Sequence, residues 1–251
     1  MLDSCIQNKI DRQIGECPFG NLNKEATRKW LTVLWELVLV DDVIDVPDDI
    51  EILGVNPTFK LVYADKSPIK AFLTTESVWN FICVLFEALI PVCTPLYHVQ
   101  SNAEDQASFW CFVSWIDGVC NRSHALNIQY IQQIPETVWH NLGSVLACIH
   151  SIPANESLYY LTSTDIGWWN YVIDNEDNIW LIDPKKVQVE EFPEKWIYLH
   201  ICFNKYITIE QKVAFITGYS SVRLKKRSET GMEILLAAKK FTDMLYEKLA
   251  K

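Results

Sequence analysis

The pattern of apolar and polar positions divides the chain into a helical start, a group of short strands and a mostly helical remainder. Between residues 24 and 40, apolar residues recur with the period of an α-helix. Residues 50–55, 59–64 and 69–73 are three apolar runs separated by polar turns, which predicts a three-stranded meander. The helical period returns at residues 75–90, so the meander is followed directly by a helix.

The rest of the chain shows two more strands, a long helix and a hairpin. Residues 96–99 and 109–115 are apolar runs on either side of a polar turn, and residues 136–151 have the apolar stripe of a helix. Two short β patterns at 171–173 and 179–182 flank a turn rich in Asp and Asn, which is typical of a hairpin. Further helices are predicted at residues 196–203, 209–219 and 231–251.

Composition narrows the class of protein. The 251 residues allow one large domain or two small lobes, and a chain that is 49% hydrophobic with 10 Trp can bury a substantial core. The net charge of −10 argues against a nucleic-acid partner, since such proteins carry a basic face. No apolar run reaches the roughly 20 residues that cross a bilayer, so no membrane span is predicted.

The cysteines indicate a reducing compartment. None of the eight forms a Cys-x-x-Cys pair, and most lie inside apolar runs, including Cys83, Cys111 and Cys148. We therefore expect reduced thiols packed as small apolar side chains. The polar N-terminus has no apolar core of the signal type, and together these features predict a cytoplasmic protein.

Three oxygen-bearing side chains surround the predicted hairpin. Because hairpin strands are antiparallel, Asn170 and Asp183 fall at the same open end, and Asp165 lies on the loop just before them. A carboxylate and a carboxamide side by side suit a hard, oxygen-binding cation such as Mg²⁺. Asp and Asn are also ordinary turn formers, so a plain surface hairpin is the alternative at this point.

The order Asp-x-x-x-x-Asn, strand, turn, strand, Asp over residues 165–183 resembles the catalytic and metal-binding loops of the protein-kinase-like fold. It is most similar to the branch of aminoglycoside phosphotransferases and choline kinases, from which it diverges. A second match is the helix that ends in Leu-Ala-Cys-Ile-His150, similar to a helix that precedes the catalytic loop in that family. The resemblance extends over about residues 50 to 220.

The resemblance implies a role for each of several residues. Asp165 takes the position of the catalytic base, while Asn170 and Asp183 would hold Mg²⁺ on the nucleotide phosphates. Lys70 on the third strand would contact the phosphates, with Lys60 as the alternative.

Further residues would complete the nucleotide site. Glu76, at the start of the following helix, would pair with the strand lysine. Its alternative role is to stabilise the helix N-terminus. Ile116 and Gly118 lie where the family binds adenine through backbone groups at a hinge; the alternative is a plain apolar edge strand. We interpret His150 as a packed structural histidine, and the basic cluster at residues 223–227 as solvated.

The resemblance implies an α+β, two-lobed protein-kinase-like fold with a small antiparallel β N-lobe and a mainly helical C-lobe. The expected domains are an N-terminal helical extension at 1–45, the N-lobe at 46–115 and the C-lobe at 116–251. The N-lobe loop between the first two strands offers only Gly54 to cradle phosphates.

The function implied is an ATP- and Mg-dependent phosphotransferase that transfers the terminal phosphoryl group to a hydroxyl. Its partners would be a nucleotide and an unidentified hydroxyl acceptor. Only ten positions separate Asp183 from Pro193, too few for the activation segment of a protein kinase, which favours a small-molecule acceptor, or a protein bound in an unusual way.

Two competing hypotheses remain. Ser163 stands where the family has His, and the bulky pair Trp168-Trp169 occupies the catalytic loop. These departures favour a catalytically degenerate pseudokinase that acts as an interaction or regulatory protein with a protein partner. The other hypothesis is a kinase-like enzyme that transfers a nucleotidyl group.

Overall fold

The computed structural model describes residues 47–53, 58–101, 108–120, 128–154, 160–163, 170–184 and 187–223, together with Glu233, Leu236, Ala237 and Lys240. The predicted N-terminal helix, Gly54, Asp165, the pair Trp168-Trp169 and most of the predicted C-terminal helix lie outside the described residues. The chain forms two compact units, the first comprising Met1–Asn80 and Thr94–Trp115 and the second comprising Phe81–Cys93 and Ile116–Lys251.

The first unit is built on a five-stranded antiparallel sheet. Its strands are β1 (Asp49–Ile52), β2 (Thr58–Val62), β3 (Ile69–Thr75), β4 (Pro95–Ser101) and β5 (Ser108–Ser114), in the order β1-β2-β3-β5-β4. Helix α1 (Glu76–Glu87) follows β3 directly, and the division between the two units falls within it. The three predicted strands of the meander are therefore confirmed as neighbours, and the next two predicted strands complete the same sheet.

One face of this sheet forms the core of the first unit. Phe59, Ala71 and Phe112 lie opposite one another on three adjacent strands and are all buried. The ring of Trp110 stacks on that of Phe59, with centroids 5.9 Å apart. Alternation of buried and half-buried residues along β2 places Lys60 on the other face, as period-two patterning requires.

The second unit is mainly helical and contains two small antiparallel sheets. Strands β6 (Val119–Cys120), β8 (Tyr171–Ile173) and β9 (Ile179–Leu181) form one sheet in the order β6-β8-β9; β7 (Tyr160–Ser163) pairs with β10 (Val187–Glu190) in the other. The helices are α2 (Ile128–Gln133), α3 (Glu136–Ile149), α4 (Lys195–Ile197), a π-helix (Tyr198–Cys202) and α5 (Ile209–Arg223).

Helices α3 and α5 pack so closely that glycine is required at their contact. A Cβ atom on Gly143 would lie 2.1 Å from the carbonyl oxygen of Phe215, and one on Gly218 would lie 1.9 Å from that of His140. The Ser144 hydroxyl donates to the carbonyl oxygen of Gly218 at 3.2 Å and so links the two helices. Backbone-to-backbone packing of this kind fixes the two helices as one rigid pair.

Gln211, in the first turn of α5, caps this helix and also binds the end of α2. Its Oε1 accepts from the Thr208 backbone N–H, while its own backbone N–H donates to Thr208 Oγ1, which is a capping box. Its side-chain amide donates to the carbonyl oxygens of Ile131 and Ile134, at 2.9 and 2.8 Å, where α2 ends. One buried glutamine therefore satisfies groups at the ends of two helices.

A buried polar cluster lies between the end of α3 and the end of α5. His150 Nδ1 and the Tyr219 hydroxyl are 2.9 Å apart, and the Arg223 Nε donates to Glu194 Oε1 at 2.8 Å. All four side chains are buried. The interpretation of His150 as structural is confirmed, whereas the expectation that Arg223 is solvated is wrong, because its guanidinium forms a buried ion pair.

The described cysteines confirm the expected packing with one exception. Cys93, Cys111 and Cys202 are buried and Cys83 is half-buried, all as reduced thiols. Cys148 is exposed on α3, so its expected burial is wrong. Its apolar neighbours in sequence, Ala147 and Ile149, occupy the buried side of the helix instead.

Candidate functional site

The hairpin β8–β9 brings Asn170 and Asp183 to the same end of the second unit's three-stranded sheet. Tyr171 pairs with Leu181 in antiparallel register, and the backbone N–H of Ile182 donates to the carbonyl oxygen of Asn170 at 3.0 Å. Asn170 therefore accepts the last hydrogen bond of the hairpin, and Asp183 directly follows the donor, Ile182. The proximity that the sequence predicted for these two residues follows from this register.

Asp174 organises the turn at the opposite end of the hairpin. Its carboxylate accepts hydrogen bonds from the Trp180 indole at 2.8 Å, from the backbone N–H groups of Glu176 and Asn178, and from the Asn178 side chain. These bonds, above all the one from Trp180, lower the pKa of Asp174 to about 2. Asp177 supplies the left-handed residue of the turn at φ 60°, a conformation that Asp tolerates.

One edge of the hairpin is bound by the segment that contains the predicted hinge. Strand β6 pairs with β8, with Val119 opposite Ile173. Gly118, at φ 153°, approaches so closely that a Cβ there would lie 2.3 Å from the Ile173 carbonyl oxygen. The sequence singled out Gly118 for its place at the hinge; the structure adds that only glycine lets this segment reach the hairpin.

The other edge of the hairpin is bound by the segment after α1. The backbone N–H of Leu181 donates to the carbonyl oxygen of Pro91 at 3.0 Å, and Val92 forms a parallel bridge with Leu181. The hairpin is thus supported along both strands. A site that needs two oxygen ligands held at fixed positions benefits from such support.

The side chains at the open end fit a hard cation. Asn170 is buried at 2% exposure and offers an amide oxygen, while the half-buried Asp183 offers a carboxylate. Within the described ranges, no three His, Cys, Asp or Glu side chains gather as a metal cluster of their own. An amide and a carboxylate alone suit Mg²⁺, which is bound through one or two protein groups plus substrate phosphates.

Asp165 lies outside the described residues, but strand β7 defines where its segment begins. Ser163, the last residue of β7, pairs with Val187, the first residue of β10. The chain that leads into Asp165 therefore runs beside the chain that leaves Asp183. The sequence pattern did not predict β7 or β10, because the two strands are far apart in the chain and no tight turn joins them.

Lys70 and Lys60 lie directly opposite each other on β3 and β2 in the first unit. The Lys70 Nζ is 4.9 Å from the centroid of the Phe72 ring. The Lys60 Nζ is 3.7 Å from Glu51 Oε1 and 4.7 Å from the centroid of the Trp115 ring. Glu76 is exposed in the first turn of α1, where its charge favours the helix N-terminus.

Comparison with solved structures decides the fold. The chain is similar to the structure "WaaP in complex with acyl carrier protein" at 12% identity, with a TM-score of 0.50 over 78% of this chain and 88% of that chain. Its antiparallel five-stranded unit and its mainly helical unit correspond to the two lobes of that architecture. The chain has a protein-kinase-like fold.

Two further solved structures are similar at lower TM-scores. A putative aminoglycoside phosphotransferase from Ralstonia eutropha JMP134 is 11% identical, with a TM-score of 0.48 over 90% of this chain and 97% of that one. Macrolide 2'-phosphotransferase MphH from Brachybacterium faecium is 12% identical, with a TM-score of 0.49 over 78% and 81%. No protein-family model and no curated protein matches the sequence.

The predicted fold class, α+β with two kinase-like lobes, is confirmed. The roles assigned to individual site residues stay predictions; these residues are Asp165, Asn170, Asp183, Lys70, Glu76, Ile116 and Gly118. The predicted boundaries of the extension and the two lobes stay predictions as well. None of the helices in the described part of the chain combines the length and the apolar content that a bilayer crossing requires.

Proposed function

We propose that this kinase-like chain is an ATP- and Mg-dependent phosphotransferase that transfers the terminal phosphoryl group to a hydroxyl on a small molecule. The observation that carries the proposal is the position of Asn170 and Asp183 at the open end of a hairpin that is bound on both edges.

Each residue of the site has a defined task in this proposal. The oxygens of Asn170 and Asp183 hold Mg²⁺, which when bound neutralises charge on the nucleotide phosphates. Lys70, on β3, has the role of contacting the nucleotide phosphates. Asp165 orients the acceptor hydroxyl and accepts its proton. The backbone groups of Ile116 and Gly118 bind the adenine of the nucleotide.

A small-molecule acceptor is supported by the short connection after Asp183. Strand β10 begins at Val187 and is already paired with β7. Four residues after that strand, Glu194 is tied to Arg223 by the buried ion pair. The chain therefore leaves no long segment here on which a protein substrate could be laid out.

The test is calorimetric titration with ATP, with and without Mg²⁺, on the wild type, Asp183→Asn and Asp177→Asn. We expect Mg²⁺-dependent binding that Asp183→Asn weakens by about tenfold or more, as loss of a metal-binding oxygen does. Asp177→Asn is the matched control, because it makes the same change at the far end of the same hairpin, where Asn also tolerates a positive φ.

Phosphoryl transfer itself is tested on a panel of hydroxyl compounds with γ-labelled ATP. Asp165→Ala should abolish transfer and leave ATP binding intact, since the base acts on the acceptor. Label released as pyrophosphate, with a nucleoside monophosphate found on the product, would instead select nucleotidyl transfer.

The second candidate function is a degenerate kinase-like interaction protein. Ser163, which replaces the family's His, lies on β7 in an ordinary strand pair with Val187. If the wild type binds no ATP with or without Mg²⁺, the phosphotransferase proposal is wrong, and this second function takes its place.

A further inference from the structure

A row of charged side chains crosses three strands on one face of the first unit's sheet. Glu51 on β1 lies directly opposite Lys60 on β2, and Lys60 lies directly opposite Lys70 on β3. Val113 and Pro95 continue the row across β5 and β4. Residues opposite one another in an antiparallel sheet point to the same face, with Cβ atoms about 5 Å apart.

Two positive charges side by side are unusual at this position. Like charges directly opposite in a sheet destabilise it, and both lysines are half-buried, so water screens them only in part. Glu51 offsets the charge of Lys60 weakly, because their closest atoms are 3.7 Å apart and the Glu51 side chain is 50% exposed. Lys60 is therefore held by a weak ion pair that an anion can replace.

The two ammonium groups reach in opposite directions along the strands. Lys60 reaches the ring of Trp115, which lies beyond the end of β5 and donates its backbone N–H to Pro68 at 3.1 Å. Lys70 reaches the ring of Phe72, which lies opposite Thr58 at the start of β2. An anion that engages both must be extended, so a chain of phosphates fits where a single phosphate does not.

We propose that Lys60 is a second phosphate-binding residue that acts together with Lys70 on a polyphosphate chain. The proposal rests on the function argued above, which it deepens by assigning a residue and a preferred anion length. Glu51 competes with the anion for Lys60 and holds this side chain until the anion binds. The aromatic ring of Trp115 supports the ammonium group in both states.

Inorganic tripolyphosphate without Mg²⁺ is the probe, because it isolates the lysine row from the hairpin. Titrations would compare the wild type with Lys60→Gln, Lys60→Arg, Glu51→Gln and Lys66→Gln. Lys66 is the matched control, since it too lies over an aromatic ring, that of Tyr63 at 4.4 Å, but it lies on the turn between β2 and β3. Circular dichroism and thermal melting establish that each variant is folded.

We expect Lys60→Gln to weaken tripolyphosphate binding by about tenfold, the effect of losing one charge-assisted contact. Lys60→Arg should restore most of the affinity, and Lys66→Gln should change nothing. Glu51→Gln should tighten binding by about threefold, since an exposed ion pair at this distance is weak. Orthophosphate should bind far more weakly than tripolyphosphate.

Equal affinities for Lys60→Gln and Lys66→Gln would overturn the inference, as would a wild type that binds no tripolyphosphate. The ATP titration separates the two proposals. If Asp183→Asn loses Mg²⁺-dependent ATP binding while Lys60→Gln keeps it, the role of Lys60 is wrong and the phosphotransferase stands. If tripolyphosphate binds through Lys60 while ATP does not bind at all, the proposed function fails and the lysine row remains an anion site.

Discussion

Leu89 holds a backbone conformation that leucine rarely adopts. It has φ 58° and is 90% exposed at the end of α1, where Ile90 donates to the Leu85 carbonyl and Leu89 donates to that of Phe86. This is the Schellman arrangement, in which glycine is preferred at the left-handed position. A leucine there costs free energy through its Cβ and recovers almost none by burial.

Leu89→Gly should therefore stabilise the protein by about 1 kcal/mol, because glycine has no Cβ to strain in the left-handed region. Leu89→Ala is the control: it removes the exposed side chain but keeps the Cβ, and it should leave the free energy of unfolding unchanged. Urea denaturation measures both variants. A gain shared equally by Ala and Gly would mean that the exposed side chain, and not the backbone, is the source of the cost.

Single residues also show where sequence reasoning succeeds and where it stops. Lys70 could be placed on a strand because the period of two fixes both its strand and its face. The burial of Arg223 could not be predicted, because it depends on Glu194, a residue 29 positions away that lies outside any local pattern. Its place in a run of basic residues pointed to solvent instead.

At the scale of elements, the β8–β9 turn depends on one carboxylate. Asp174→Ala removes the acceptor for the Trp180 indole and for two backbone N–H groups of the turn. We expect a loss of roughly 1 kcal/mol in unfolding free energy, since partly exposed hydrogen bonds contribute little each. The Mg²⁺-dependent affinity for ATP should fall as well, because the hairpin positions Asn170 and Asp183.

Asn175→Ala is the control for the turn, since Asn175 is an exposed neighbour in the same loop. Chemical denaturation and the ATP titration are run on both variants. If Asp174→Ala lowers stability but leaves ATP affinity unchanged, the turn is a local feature and the open end of the hairpin is positioned by its two edges alone.

The crossing of α3 and α5 is the second element-scale test. Gly218→Ala should destabilise the protein by about 3 kcal/mol, although alanine favours helices, because the added Cβ would meet the His140 carbonyl at 1.9 Å. Thr217→Ala on the exposed side of α5 is the control and should be neutral or slightly stabilising. Thermal melting distinguishes the two, and a higher melting temperature for Gly218→Ala would disprove the close contact.

At the scale of the whole molecule, the order of elements was the most predictable property. Strand and helix periods predicted the sheet of the first unit and helices α1, α3 and α5, because each buries one continuous face. Strands β6, β7 and β10 escaped prediction, since each pairs with a strand distant in the chain and no local turn marks the pair as it marks β8 and β9. These short pairings are the ones that surround the candidate site.

The loss of unfolding free energy in acid should depend on the protonation of His150. Its complete burial, with a smaller contribution from the charge of Arg223, lowers its pKa to about 3 from the ordinary value near 6.5. Between these pH values the unfolded chain binds a proton that the folded protein does not. Stability that is fully present above about pH 6.5 is therefore lost as the pH falls towards 3, by up to about 1.4 kcal/mol per pH unit.

Asp174 acts in a separate, lower window. Because the pKa of Asp174 is lowered to about 2, its hydrogen bonds contribute stability above its ordinary pKa. This stability is lost only as the pH falls below about 4.

His150→Gln should lower stability at pH 7, because it disturbs the bond to Tyr219, but it should flatten the decline between pH 6.5 and about 4. The test is the unfolding free energy of the wild type and of His150→Gln, measured across this pH range. Parallel curves of free energy against pH would show that His150 is not the group that titrates.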